Sequence, residues 1–84
     1  MYCVYILQSQ KDKSLYIGYT TNIGKRLAEH NSGKSQATRP FRPYELIYYE
    51  AFIDMKDAKS REEYLKSGWG RRTINKLLKN YFSE

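Results

Sequence analysis

Glu62 is an acidic residue at a position where a helix should be apolar. Ala58, Glu62 and Leu65 share one face of a predicted helix, and the two apolar residues indicate that this face packs against the rest of the protein. An unpaired buried carboxylate is costly, so Glu62 needs either a metal ion or a basic side chain, of which an ion pair with an arginine is the commoner structural alternative. The adjacent Glu63 points about 100° away and is expected in solvent.

Arg26 and His30 lie one turn apart on an earlier predicted helix, where they flank the apolar stripe of Ile23 and Leu27. Both side chains should therefore lie at the edge of the packed face. Arginine offers a fork of donors to phosphate oxygens, and histidine can hold or move a proton near neutral pH. A single helix histidine is, however, more often a surface residue without a role.

Tyrosines occur next to a glycine in two predicted strands near the start of the chain. Alternation places Cys3, Tyr5 and Leu7 on one face of the first strand, and Tyr16 on the same face as Gly18 in the second. A glycine inside a strand often marks close approach by a ligand or another backbone, to which tyrosine hydroxyls could be presented. The ordinary alternative is that these tyrosines only pack, as most strand tyrosines do.

The elements that must position these residues follow from β-rich runs, capping residues and apolar periodicity. Residues 2–7 and 15–20 read as a hairpin, and Asn22 can cap a helix that continues to about Asn31. Residues 32–43, which contain Gly33, Pro40 and Pro43, are predicted to be a loop.

The second half of the chain is predicted in the same way. Residues 44–52 form a third strand, and Asp54 or Asp57 caps a helix to about Ser67, which the run Gly68-Trp69-Gly70 breaks. A last helix carries an apolar stripe of Ile74, Leu77, Leu78 and Tyr81. The order β-β-α-β-α-α predicts an α+β fold, a small antiparallel three-stranded sheet flanked by helices, in one domain over residues 1–84.

Composition excludes several classes of protein. A chain of 84 residues, 40% of them hydrophobic, can form a core but not a deep cofactor chamber. No apolar run approaches the roughly 20 residues of a membrane span, and the N-terminal residues lack the features of a signal peptide, so we expect a cytoplasmic protein without membrane contact. The single cysteine, Cys3, excludes an internal disulfide and a cysteine zinc cluster.

The net charge of +6 is concentrated in two basic blocks, residues 25–42 and 56–79, on either side of an acidic stretch at 43–55. Such blocks attract polyanions, of which nucleic acids are the commonest in the cytoplasm, although solvated helix faces are the ordinary alternative. The candidate nucleic-acid contacts are Lys25, Lys34, Arg39, Lys66 and Arg71.

These features occur together in a recognisable order. Five features follow one another over nearly the whole chain. They are the run Cys3-Val4-Tyr5, the run Tyr16-Ile17-Gly18, Arg26 with His30, Ala58 with Glu62, and the ending Arg61-Glu62-Glu63-Tyr64-Leu65-Lys66-Ser67-Gly68-Trp69-Gly70-Arg71. The sequence resembles the GIY-YIG nuclease superfamily, in particular its small stand-alone bacterial members, which are related to the nuclease domain of the excinuclease C subunit.

The resemblance implies a metal-dependent phosphodiesterase. Glu62 would be the sole protein carboxylate on one Mg²⁺ or Mn²⁺ ion, Arg26 would face the scissile phosphate, and Gly18 would be the motif glycine near the nucleic acid. Tyr5 leads as acceptor of the proton of the attacking water, although free tyrosine, with pKa about 10, needs a nearby cation for this. Tyr16 and His30 remain alternatives for the same task.

Three functions stay open at this point. The first is an endonuclease, with DNA favoured over RNA and with repair or recombination as its setting. The second is a nucleic-acid-binding module of the same fold that turns over slowly or not at all. The third, of a different class, is a protein-interaction domain that uses exposed tyrosines. Neither the oligomeric state nor a preferred nucleic-acid structure follows from the residues.

Overall fold

A computed structural model describes all 84 residues. Three antiparallel strands, β1 (Tyr2–Ser9), β2 (Leu15–Thr20) and β3 (Tyr44–Phe52), form one sheet in the order β2-β1-β3. The helices are α1 (Ile23–Ser32), α2 (Met55–Lys66), α3 (Gly68–Leu77) and the single turn α4 (Lys79–Phe82). The predicted α+β class and the order of strands and main helices are confirmed, and no helix is long and apolar enough to span a membrane.

The sheet is covered on both faces, and β1 runs through its middle. Val4 and Ile6 face α2 and α3, where they pack with Ala58, Leu65 and Ile74. The alternate residues Tyr5 and Leu7 face the other side, where they pack with Tyr44 and with the α1 residues Ile23 and Leu27. Because both faces of β1 are buried, its sequence is a continuous apolar run instead of an alternating one.

The first residues of α1 and α2 are capped by the side chain that directly precedes each helix, and the predictions for these caps are largely confirmed. The side chain of Asn22 accepts a hydrogen bond from the Lys25 amide at the start of α1. Of the two aspartates considered for α2, Asp54 is the cap, since its carboxylate accepts from the Lys56 amide. Each side chain satisfies a first-turn N–H that has no partner within the helix.

The prediction for Gly68-Trp69-Gly70 is wrong in one respect. The chain turns at Ser67, as expected, but the three residues form the first turn of α3, which Ser67 caps by accepting from the Gly70 amide. A Cβ on Gly70 would collide with the backbone of Tyr64 and Leu65, so this glycine permits α3 to start directly against the end of α2. The apolar stripe also spans two helices, since α3 ends at Leu77 and α4 follows.

The predicted loop at 32–43 contains only one regular feature, a short 3₁₀ turn at Arg39–Phe41. Gly33, at φ 86°, ends α1 in the left-handed region that a glycine adopts without strain. The side chain of Asn31 then pairs with both backbone groups of Tyr44, and Ser9 Oγ donates to the Phe41 carbonyl. The 32–43 loop is thereby fixed over the end of α1, where it buries His30 and Thr38 completely.

Candidate active site

Tyr5 and Gly18 lie opposite each other in the pairing of β1 with β2. A Cβ built on Gly18 would collide with Oη and Cζ of Tyr5, so the phenol occupies the space that any other residue at position 18 would fill. The sequence predicted close approach at this glycine, and the group that approaches is the side chain of Tyr5. The missing side chain at position 18 therefore fixes where the Tyr5 hydroxyl lies.

His30 connects Tyr5 to the 32–43 loop. Its Nε2 lies 3.0 Å from Tyr5 Oη and its Nδ1 lies 2.7 Å from Thr38 Oγ1. The ring of Tyr16 meets the imidazole edge to face, with 4.9 Å between centroids. Burial lowers the pKa of His30 below its ordinary 6.5, and the charge of Arg26 lowers it further against the opposing effect of Glu29. His30 is therefore a neutral imidazole at pH 7, buried where a surface residue was the ordinary expectation.

Arg26 is the cation next to the Tyr5 hydroxyl. Its guanidinium also pairs with Glu29, one turn on in α1, at 3.1 Å. Burial raises the pKa of Tyr5 above 10, the adjacent Arg26 lowers it, and the charges of Tyr16 and Glu62 raise it. Arg26 is thus the cation that the resemblance requires beside Tyr5. In the free protein its effect on the pKa is smaller than that of burial, so Tyr5 is a protonated phenol at pH 7.

Glu62 lies on the buried side of α2, as its spacing from Ala58 and Leu65 predicted, with 21% of its side chain exposed. Its partner is Lys66, whose Nζ lies 3.1 Å from Oε2, and not an arginine. The arginine of this helix, Arg61, instead donates to Glu50 on β3 at 2.7 Å. The charge of the Glu62 carboxylate is the smallest of the effects that raise the pKa of Tyr5 and the pKa of Tyr19. Glu63 is exposed, as expected.

A divalent metal ion in this site would depend on Glu62 alone. No group of three or more His, Cys, Asp or Glu side chains is placed to hold a metal. The shortest contact of Glu62 with Lys66 is through Oε2, so Oε1 is the oxygen that a metal ion would bind first. Mg²⁺ keeps several waters and often takes only one or two protein carboxylates together with substrate phosphate, so this donor set fits Mg²⁺ or Mn²⁺ and does not fit a fully protein-ligated site.

The lysines and arginines that were predicted to contact nucleic acid separate into three groups. Lys66 and Arg71 line a surface cleft of about 350 Å³ beside Glu62, in which Lys13 is a third cation and no acidic side chain is present. Lys25 and Lys34 are exposed on and after α1. Arg39 uses its Nε–H to hold the Gly33 carbonyl at 2.7 Å, and so has a structural task in the 32–43 loop.

Three residues near the site were missed by the sequence reasoning. Lys13 joins the cleft from the β1–β2 turn, and Thr38 reaches His30 from the 32–43 loop; no local pattern indicates either contact. Lys59 places its ammonium 5.5 Å from the centre of the Tyr19 ring. Its spacing of three residues before Glu62, on the same helix face, is a signal that could have identified it.

Comparison with known proteins places the sequence in a family. Residues 1–76 match the family model described as the GIY-YIG catalytic domain. The chain is 47% identical over 64 residues to a UPF0213 protein of Clostridium perfringens, covering 75% of this chain and 68% of the relative. It is 44% identical over 80 residues to the UPF0213 protein YsiG of Lactococcus lactis, covering 94% and 76%.

A solved structure shares the fold. The solution NMR structure of a UPF0213 protein from Bacillus halodurans aligns with a TM-score of 0.56 at 34% identity, covering 92% of this chain and 85% of the other. The family match extends over both strands of the hairpin and both helices that carry Tyr5, Arg26, His30 and Glu62. The chain therefore belongs to the GIY-YIG nuclease family.

Proposed function

We propose that this protein is a metal-dependent endonuclease that hydrolyses phosphodiester bonds in DNA. The observation that carries the proposal is that Tyr5 hydrogen-bonds to His30 next to the Arg26 cation, while the charge of the half-buried Glu62 also acts on Tyr5. This set offers a proton acceptor, a phosphate-binding cation and one metal-binding oxygen. A shallow site of this kind needs little enclosure, which suits a chain of 84 residues.

Arg26 would bind and stabilise the scissile phosphate. Its side chain is 35% exposed, so its remaining N–H groups can reach a ligand while one holds Glu29. A guanidinium placed where negative charge grows in the transition state lowers the barrier without reorganising. When bound at Glu62, Mg²⁺ or Mn²⁺ would supply a Lewis acid for the phosphate oxygens.

Tyr5 would accept the proton of the attacking water. Only the phenolate can do so, and the phenol proton first leaves to solvent. As the water oxygen bonds to phosphorus, one proton passes to Tyr5 Oη, and the bond to the leaving oxygen breaks; that oxygen then takes its proton from solvent. Arg26 and His30 Nε2 lie beside Oη, where they can support the phenolate, and the lowered pKa of the buried His30 makes it a weaker candidate for the same task.

The cleft beside Glu62 supports nucleic acid as the substrate class. Its cations are Lys13, Lys66 and Arg71, and none of the residues that line it is acidic, so it can hold phosphates that flank the one being cut. Lys66 belongs both to the cleft and to the ion pair with Glu62, and therefore connects phosphate binding to the metal-binding oxygen.

The experiment is cleavage of nicked, flapped, branched and single-stranded DNA with Mn²⁺ and with EDTA. We expect Glu62→Gln to abolish cleavage while binding persists. Glu63→Gln is the matched control, since it removes the same charge from the next, exposed position of α2. Cleavage that survives EDTA or Glu62→Gln would contradict the proposal.

A second function, nucleic-acid binding without turnover, is favoured by one observation: Lys66 already neutralises Glu62 in the free protein. Salt-sensitive DNA binding by the wild-type protein, with no Mn²⁺-dependent product from any of these substrates, would establish this alternative in place of the nuclease.

A further inference from the structure

Thr38 has a buried hydroxyl whose hydrogen-bond partner is the imidazole of His30. Thr38 is fully buried, and its Oγ1 lies 2.7 Å from Nδ1 of His30. Thr38 precedes the 3₁₀ turn of the 32–43 loop at the capping position, yet its side chain makes no capping hydrogen bond there. The hydroxyl therefore pairs with His30 instead of with a nearby backbone group, which is the usual local partner of a threonine side chain.

The proton positions in the chain Thr38–His30–Tyr5 have two solutions. A neutral imidazole has one N–H donor and one acceptor nitrogen. In the first solution Nδ1–H donates to Thr38 and the Tyr5 hydroxyl donates to Nε2, which leaves the Thr38 proton without an acceptor. In the second, Thr38 donates to Nδ1 and Nε2–H donates to Tyr5 Oη, which leaves the Tyr5 proton free.

Burial separates the two solutions. An unsatisfied donor is costly where water cannot reach it, and Thr38 is completely buried. Arg26 beside Tyr5 does not decide between them, because a phenol oxygen can accept from it in either solution. The second solution satisfies the Thr38 proton and leaves unmatched only the phenol proton, which lies next to the half-exposed Arg26.

We propose that Thr38 is a positioning residue that holds His30 in the Nε2–H tautomer, so that His30 donates to Tyr5 Oη beside the Arg26 cation. The tautomer is a property of the free protein, and its catalytic consequence rests on the proposed function. There, a fixed donor on Oη and the Arg26 cation beside it stabilise the phenolate, which keeps an acceptor direction for the water whose proton it takes.

The first test needs no variant and no substrate. Because His30 is the only histidine, a long-range ¹H–¹⁵N correlation spectrum of the ¹⁵N-labelled protein at pH 7.5 contains a single imidazole pattern. We expect Nε2 to show the shift of a protonated nitrogen and Nδ1 that of an unprotonated acceptor. A protonated Nδ1 would overturn the proposal.

The second test concerns Thr38 itself. Thr38→Val removes the hydroxyl at nearly constant volume, and we expect His30 to move to the Nδ1–H form or to a mixture, with Thr38→Ser restoring the wild-type pattern. Thr73→Val is the control, since it removes a hydroxyl that pairs with Tyr64 far from His30. If Thr38→Val fails to fold, Thr38→Ala removes the same hydroxyl without overpacking. An unchanged tautomer in the folded variant would show that Thr38 does not set it.

Cleavage assays then separate this inference from the proposed function. We expect Thr38→Val to lower kcat about tenfold with KM unchanged, a fraction of what a positioned proton-transfer group contributes, and Thr38→Ser to recover it. A wild-type protein that shows the Nε2–H tautomer but cleaves nothing would refute the nuclease and leave the tautomer standing. Equal kcat in wild type and Thr38→Val would overturn the positioning role.

Discussion

The phenol of Tyr5 fills the space above Gly18, its partner across the β1–β2 pair. The two residues act as a single structural unit, because the position of the hydroxyl depends on the absence of a side chain on the neighbouring strand. That hydroxyl meets His30 at 3.0 Å and lies beside Arg26. The geometry of the candidate active site therefore depends on a glycine, through the space that it leaves for the phenol.

Gly18→Ala should displace the Tyr5 ring and disrupt its contact with His30. Overpacking a well-packed site costs about 1–3 kcal/mol, so we expect the free energy of unfolding to fall by that amount in urea denaturation. Cleavage should fall more than stability alone explains, since the folded variant holds Oη in the wrong place. The ¹⁵N pattern of His30 should change as well.

Gly24→Ala is the matched control for this change. Gly24 lies in the first turn of α1, and a Cβ there would meet only the Asn22 side chain, at an ordinary 3.8 Å. Alanine is the better helix former, so this variant should gain up to about 0.5 kcal/mol and cleave normally. Equal behaviour of the two alanine variants would show that Tyr5 does not depend on the space above Gly18.

The stability of the protein should decrease as the pH falls from 7.5 to 5.5. The pKa of His30 is lowered by burial and by Arg26, so the unfolded chain binds a proton near pH 6.5 that the folded chain does not. Stability is therefore complete above 6.5 and declines as the pH drops toward the lowered pKa. The groups that face the imidazole are Tyr5, Tyr16, Thr38, Tyr44, Arg26 and Glu29.

Urea denaturation at several pH values in this window measures the effect. As the chain has one histidine, His30→Gln should flatten the dependence even if it lowers stability at every pH. A wild-type protein with constant stability from pH 7.5 to 5.5 would show that His30 ionises equally easily in the folded and unfolded states.

The parts of the fold that sequence predicted well are those that local chemistry determines. Asn22 and Asp54 cap helices through amides three and two residues ahead, so their signals lie within one turn. The face of α2 that carries Glu62 follows from the spacing of Ala58 and Leu65. Lys66, four residues after Glu62, has the spacing of a helical ion-pair partner, although an arginine was the partner considered.

The parts that sequence reasoning missed depend on packing between distant segments. The low helix propensity of Gly68 and Gly70 suggested that they lie between helices, but both belong to α3. Position 70 is a glycine because α3 approaches the backbone of α2 too closely for a Cβ. Thr38 reaches His30 only because the 32–43 loop folds back over α1, a contact with no periodicity of its own. Pattern reasoning finds the residues of the site but not the contacts that hold them in position.

Arg61 should contribute to stability through its pair with Glu50. Burial would raise the pKa of Glu50, but hydrogen bonds from Arg61 and Tyr48 lower it below 4.5. Arg61→Met leaves that carboxylate half-buried without its cation, and we expect a loss of about 1–3 kcal/mol at pH 7. The loss should shrink as the pH falls through the lowered pKa, because the stabilisation by a carboxylate of lowered pKa exists only while it is ionised.

Lys56→Met is the control for Arg61, since Lys56 is exposed on the same helix and pairs with no acid. Its effect should stay within about 0.5 kcal/mol. A loss in Arg61→Met that is no greater, or that is the same at pH 4 and pH 7, would show that the ion pair adds nothing beyond the packing of the arginine stem.

The cleft formed by Lys13, Lys66 and Arg71 should determine how DNA affinity depends on salt. Each phosphate contact releases counterions, so replacing one of these residues by glutamine should reduce the slope of log K against log salt by about 0.9, equally for unrelated DNA sequences. Lys76→Gln, exposed on α3 outside the cleft, removes the same charge from the protein and should leave the slope nearly unchanged. If all four variants lose the same slope, DNA responds to the net charge of +6 and not to the cleft.

Because Lys66 also pairs with Glu62, its variant should differ from the Lys13 and Arg71 variants in one further way. Mn²⁺ should bind more tightly to the free protein, since the carboxylate no longer has a competing cation.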